Sequence, residues 1–252
     1  MKFIIHILLI SLTMVGFAQN QDLFEKANAF YNAGKYAEAI DNYQAILESG
    51  YHSADLYFNL GNANYKLNNI APSIYFYEKA LLLNPNDQDI KDNMAFAKNM
   101  TIDVIDVIPE AGLAKIIKNI ANAMSFDSWA VCTVVLVFVF VILFLFYYFS
   151  YSTFRKRFTF IASITALMLV CITLALAFHK YNLEKLDNPA IIFVQESRVK
   201  NTPNPNGEEA FRLHEGTKVQ VVDSYNNWQK IKLTDGKTGW VMSEDVKLLK
   251  DF

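Results

Sequence analysis

The side chains best suited to nucleophilic or metal chemistry in this 252-residue chain are four histidines, His6, His52, His179 and His214, and two cysteines, Cys132 and Cys171. Zinc sites need ligands that converge through short spacers, and these six residues are scattered along the chain. Neither cysteine has a histidine at a spacing that suits nucleophilic catalysis, and there is no Gly-Xaa-Ser-Xaa-Gly elbow and no phosphate-cradling loop. Asn86-Asp87-Gln88-Asp89 with Asp92 is an acidic cluster, but it lacks the bend glycine and late glutamate of a calcium loop. Capping of a helix start by Asn86 or Asp87 accounts for it. The sequence therefore carries no catalytic set and no cofactor or metal motif. The chemistry left to it is recognition, and the elements must say where.

Two apolar runs dominate those elements. Trp129 to Phe149 and Phe158 to Phe178 contain no charged side chain. A helix of about 20 apolar residues spans a hydrocarbon core. The linker, Ser150 to Arg157, ends in Arg155-Lys156-Arg157, and basic residues stay cytoplasmic. The expected element is a two-span hairpin with a cytoplasmic loop over 150–157, which leaves the flanking segments together on the outer side. Lys115, Lys118, Lys180 and Lys185 flank the opposite end. Met1-Lys2, the apolar stretch Phe3 to Met14 and the small residues Gly16 and Ala18 read as a signal peptide over 1–18, cut before Gln19. Both cysteines fall inside the spans, where they read as packing residues, so the exported parts carry no disulfide.

With the spans removed, soluble regions of about 90 and about 70 residues remain, each the size of a small domain. Gln19 to Glu110 holds 6 basic and 13 acidic residues, a net of −7, whereas His179 to Phe252 holds 11 of each. The acidic first region argues against nucleic acid and anionic lipid as its partner.

That first region repeats. At a shift of 34 residues Ala27 falls on Gly61, Gly34 on Asn68, Ala39 on Ser73 and Tyr43 on Tyr77. Small residues at Ala27, Ala39 and Gly61 allow helices to approach closely, and Tyr36, Tyr43 and Tyr77 fill the space beside them. Gly34 and Asn68 can take the left-handed conformation between helices, and Pro85 ends the second copy. The period and the series Leu60-Gly61-Asn62, Tyr65, Tyr77, Ala80, Asn84-Pro85 resemble the tetratricopeptide repeat. Two copies, 20–53 and 54–87, with a capping helix built on Ile90, Met94, Ala95 and Ala97, fill 19–101. The resemblance implies a concave groove lined by Phe24, Asn28, Tyr31 and Asn32 from the first copy. The second copy would add Asp55, Phe58, Asn59, Asn62, Tyr65 and Lys66. Aromatics interleaved with amides suit an extended peptide. Asn28 and Asn59 match asparagines that clamp a terminal carboxylate in some relatives, whereas Phe24 and Asp89 stand where that clamp has basic residues. Between repeats and first span lies a juxtamembrane segment, 102–128. Within it Leu113, Ile116, Ile117, Ile120 and Met124 have helical spacing, with Lys115, Lys118 and Asn119 off the stripe. It either lies in the membrane interface or packs on the repeats as their last helix.

After Asn188 the helical period is lost. Lys218 to Val222 and Gln229 to Leu233 alternate as strands, Thr234-Asp235-Gly236-Lys237 is a hairpin turn, and Pro203 to Gly207 is a loop. Glu215-Gly216-Thr217, Trp228, Asp235-Gly236 and Gly239-Trp240-Val241 resemble bacterial SH3-like (SH3b) domains over 188–252. Trp240 is expected in the core, with Phe211, Tyr225 and Trp228 lining a surface groove.

The expected fold class is a multidomain membrane protein: an α-helical repeat solenoid, a two-helix transmembrane hairpin and a C-terminal all-β SH3-like barrel. That order resembles the aerotolerance-operon (Bat) family, specifically BatE-like proteins. The resemblance implies an inner-membrane protein with both soluble modules in the periplasm. It also implies von Willebrand A-domain membrane proteins as partners and a MoxR-type ATPase on the cytoplasmic side. A non-enzymatic scaffold in oxidative or envelope stress is the function that follows. A peptidoglycan-binding sensor or anchor acting through the SH3b domain is the alternative.

Overall fold

The computed structural model describes residues 19–106 and 112–250; the expected signal peptide lies outside them. The described residues divide into two compact units. One joins the helices up to residue 106 with the chain from Asn188 onward, and the other runs from 112 to Asp187.

The first unit begins with five helices: α1 over 19–32, α2 (Tyr36–Glu48), α3 (Ala54–Lys66), α4 (Ile70–Leu83) and α5 (Gln88–Lys98). Ser53 and Asp87 cap α3 and α5 by accepting from the N–H of Leu56 and Ile90. Gly34 and Asn68 hold positive φ, 76° and 58°, at the turns inside the two copies. Gly61 is required by proximity, because a Cβ there would lie 2.6 Å from the Tyr77 ring. Ser73 Oγ donates to the Gly61 carbonyl at 3.0 Å across the same α3–α4 contact.

Seven strands follow: β1 (Pro189–Ile192), β2 (Glu196–Lys200), β3 (Glu209–His214), β4 (Lys218–Tyr225), β5 (Trp228–Lys232), β6 (Thr238–Met242) and β7 (Val246–Leu248). They form one antiparallel sheet in the order β3-β2-β6-β5-β4-β1-β7. The β5–β6 turn is the Asp235-Gly236 one, with Gly236 at φ 88° and Asp235 Oδ1 accepting from the Lys237 N–H at 3.0 Å. Asn226, at φ 49°, opens the tight β4–β5 turn.

All four residues of β1 are buried, which ordinary one-sided alternation does not produce. Ala190 and Ile192 face the barrel core with Val199, Val219, Ile231 and Val241. Ile191, with Leu249, faces the other way and completes the helical core of Ala71, Ile74, Tyr75 and Tyr77. The repeats and the barrel therefore share a core. Tyr75 meets Phe193 edge-on at 5.3 Å. Glu78, 6% exposed, receives Lys98 at 3.2 Å and Lys218 at 2.7 Å, so its buried charge is paired from both modules.

Residues 101–106 run on from α5 as an extended strap whose side chains alternate between half-buried and exposed. Asp103 Oδ2 accepts from the His214 N–H at 2.7 Å and the Thr217 hydroxyl at 2.6 Å. Its Oδ1 lies 2.7 Å from His214 Nδ1. Ile105 packs against the barrel core beside Phe211.

The second unit contains α6 (Leu113–Asn122), α7 (Phe126–Phe149) and α8 (Thr153–Leu186). The last two are long and apolar enough to cross a membrane. They pack through small and hydroxyl residues: Thr133, Ser163, Ala166, Thr173 and Ala177 are buried, and Thr133 Oγ1 donates to Thr173 Oγ1 at 3.0 Å. The expected loop over 150–157 is shorter than its sequence suggests. Arg155-Lys156-Arg157 lies in the first turns of α8, because arginine and lysine are good helix formers. At its other end α8 runs on to Leu186, past the apolar run.

Candidate functional site

The concave face of a helical repeat is built by the first helix of each pair, here α1 and α3, with α5 as the third. Its amides form a ladder. Tyr43 Oη donates to Asn28 Oδ1 at 2.6 Å, and Asn59 Nδ2 donates to the same oxygen at 3.1 Å. Thirty-four residues on, Tyr77 Oη donates to Asn62 Oδ1 at 2.6 Å and Asn93 Nδ2 does so at 2.9 Å. One oxygen in each copy thus joins three helices. Burial pushes the Tyr43 phenol up to about 12, with a contribution from Tyr31 and opposed by the nearby Asn59 amide. Burial raises Tyr77 as well, so both phenols stay protonated donors. Tyr31 is raised by burial and by Tyr36, whose ring it meets edge-on at 5.2 Å.

These bonds alter the expected role of the asparagines. The carbonyl oxygens of Asn28 and Asn62 are each engaged twice by the protein itself, and the Asn59 amide spends one N–H on Asn28. They set helix spacing before they meet any ligand. The expected groove residues also divide. Tyr31, Asn62, Tyr65 and Lys66 line one cleft of about 160 Å³, joined by Tyr77, Asn93 and Phe96. Phe24 and Asp55 line a second cleft of about 170 Å³ with Tyr51 and Ser53. Phe58 packs against the helical core and lies 6.0 Å from the Tyr77 ring. Asn32 is exposed at the end of α1.

Sequence reasoning missed Asn93 and Phe96, the latter 59% exposed. The signal was available: Asn59 plus the 34-residue shift is Asn93, and Asn62 plus the shift is Phe96. The third copy therefore continues the face and does more than cap it.

On the barrel, two expectations about tryptophan exchange places. Trp228, expected in a surface groove, is 8% exposed. It opens β5 with Tyr225 paired on one side and Met242 on the other, and these neighbours flank it. Trp240, expected in the core, is partly exposed, because its neighbours Gly239 and Val241 take the inward positions of β6. Lys230 Nζ lies 5.9 Å from its ring. Phe211 borders a cleft shared with Ile102, Val104 and Ile105 of the strap. Of the three expected groove residues only Tyr225, 57% exposed, presents an open ring.

No cluster of histidine, cysteine or carboxylate side chains able to hold a metal occurs among the described residues. Residues 24–89 match the tetratricopeptide repeat family and residues 197–247 match the bacterial SH3 domain. No curated protein matches the chain. The chain thus contains a tetratricopeptide repeat region, a bacterial SH3 domain and two candidate transmembrane helices, and both matched domains are of kinds that typically mediate interaction without catalysis.

Proposed function

We propose that the protein is a non-enzymatic scaffold of a bacterial inner membrane, holding an extended segment of a protein partner on its repeat face. The observation that supports this most is the cleft between α1, α3 and α5. Tyr31, Tyr65 and Phe96 supply ring area there, Lys66 adds a charge, and a fixed amide ladder forms the floor. Rings on a rigid floor lose little entropy on binding, which suits a peptide ligand. The resemblance to BatE-like proteins supports a Bat-type complex as the setting. Membrane proteins with von Willebrand A domains are then the partners, linked to a MoxR-type ATPase across the membrane. The basic triplet at the α7–α8 connection supports a topology with both soluble modules in the periplasm.

The test is crosslinking in intact membranes, with captured proteins identified by mass spectrometry. The comparison is a variant carrying Phe96→Ala and Lys66→Ala, both exposed positions that spare the ladder. Loss of a defined membrane partner from the variant supports the scaffold; an unchanged capture overturns it. A second reading, peptidoglycan binding through the barrel, is favoured by the open ring of Tyr225 and the partly exposed Trp240. Sedimentation of the detergent-solubilised full chain with isolated peptidoglycan checks it, and retention in the supernatant rules it out.

A further inference from the structure

Helix α6 carries an apolar stripe that the described protein leaves uncovered. Leu113, Ile116, Ile117 and Ile120 recur at helical spacing and are 46–77% exposed. At about 100° per residue they fall within one sector about 100° wide. Lys115 and Lys118 project roughly 150° away from its centre, on either side. Ala121, fully buried, lies about 90° round from the stripe. The helix therefore has three distinct sides: one against the hairpin, one charged and one apolar.

Side-chain contacts fix α6 to the hairpin at a definite level. Trp129 Nε1 donates to the Ala121 carbonyl at 3.1 Å, and Lys180 Nζ donates to Asn122 Oδ1 at 2.9 Å. Phe126 and Tyr181 pair at 5.5 Å between ring centres beside them. Trp129 opens the first apolar run, and Lys180 follows the last residues of the second. Tryptophan, tyrosine and lysine at the ends of spans mark the water–lipid boundary. An exposed stripe of four large aliphatics in water would be an association hazard, whereas at this level acyl chains are the adjacent phase.

We propose that α6 is an interfacial helix, its Leu113–Ile120 stripe seated in the bilayer leaflet that surrounds the outer ends of α7 and α8. Lys115 and Lys118 face the headgroups and water. The occupant of the stripe is lipid, continuous with the lipid around the spans. This rests on the membrane-hairpin reading, and the experiment separates the two.

The full chain, with Cys132→Ala and Cys171→Ala, is given one cysteine at a time: Ile117→Cys on the stripe, Lys118→Cys on the polar side or Val139→Cys in the middle of α7. Each is labelled with an environment-sensitive fluorophore. Each is then reconstituted in phosphatidylcholine vesicles containing lipid spin-labelled near the headgroup or deep in the acyl chain. The expected result is strong quenching at position 117 by the shallow label, at 139 by the deep label, and several-fold weaker quenching at 118 by either. Quenching at 139 with 117 as weak as 118 overturns the interfacial helix and leaves the hairpin standing. Absence of quenching at 139 overturns both. A second readout guards against a label that perturbs the helix. Ile117→Glu should raise protease cleavage around α6 in vesicles while the spans stay protected, and an unchanged cleavage pattern counts against the proposal.

Discussion

Asp103 shows how a single carboxylate can organise two modules. Burial alone would raise its pKa, but the hydrogen bonds from Thr217, the His214 N–H and the His214 ring together outweigh burial, so it is held below the usual carboxylate range. A depressed folded-state pKa stabilises the fold above the unfolded value, and the stabilisation is lost as pH falls through the folded one. Asp103→Asn should therefore cost about 1–3 kcal/mol near neutral pH, and the difference from the parent should shrink on acidification through the carboxylate range. Thermal unfolding across pH checks this. Asp106→Asn, on an exposed carboxylate of the same strap, should be close to silent. At Gly61 the constraint is steric: Gly61→Ala forces a methyl against the Tyr77 ring and should cost about 1–3 kcal/mol, read from the urea midpoint.

At the scale of elements, legibility varies with how local the cause is. The left-handed turn positions Gly34 and Asn68 and the Asp235-Gly236 hairpin follow from neighbouring residue types, and each is visible in the sequence. The reversal of Trp228 and Trp240 was not legible, because in short, bulged strands the parity of burial depends on register with both neighbours. Nor was the double burial of β1, because only the docked helices explain Ile191. The repeat amides were legible as a set, but their mutual bonding depends on three helices meeting. The hairpin offers its own test. Changing Arg155, Lys156 and Arg157 to glutamine leaves Lys115, Lys118, Lys180 and Lys185 as the basic residues flanking the spans, which opposes the proposed orientation. In a chain lacking Cys132 and Cys171, thiol labelling at Tyr151→Cys with a membrane-impermeant reagent applied outside should be absent in the parent and appear in the neutralised variant.

At the scale of the molecule, the repeats and the barrel are one folding body. Ile191 and Leu249, both fully buried, join the two modules through apolar packing, and Glu78 joins them through charge. In a Trp129→Phe chain, unfolding of the unit should be a single transition, with the change in emission from Trp228 and Trp240 coincident with loss of the helical circular dichroism contributed by α1 to α5. Ile191→Asp places an unpaired charge in the shared core and should split that transition in two, the helical signal and the barrel signal no longer superimposing. Coincident curves in this variant would mean that the modules are coupled by something other than this interface.

The same arrangement governs where tension goes. The chain leaves the unit at two places, after the strap and before β1. The strap is latched to the β3–β4 turn by Asp103. At the other lead the Asn188 carbonyl accepts from the Val221 N–H at 2.9 Å, and Pro189 begins the sheet. A pull transmitted through either lead is therefore taken up by the barrel, through a side-chain latch on one side and a backbone ladder on the other. The amide ladder of the concave face lies outside that line of load, so a partner gripped there would keep its seat while the anchor is strained.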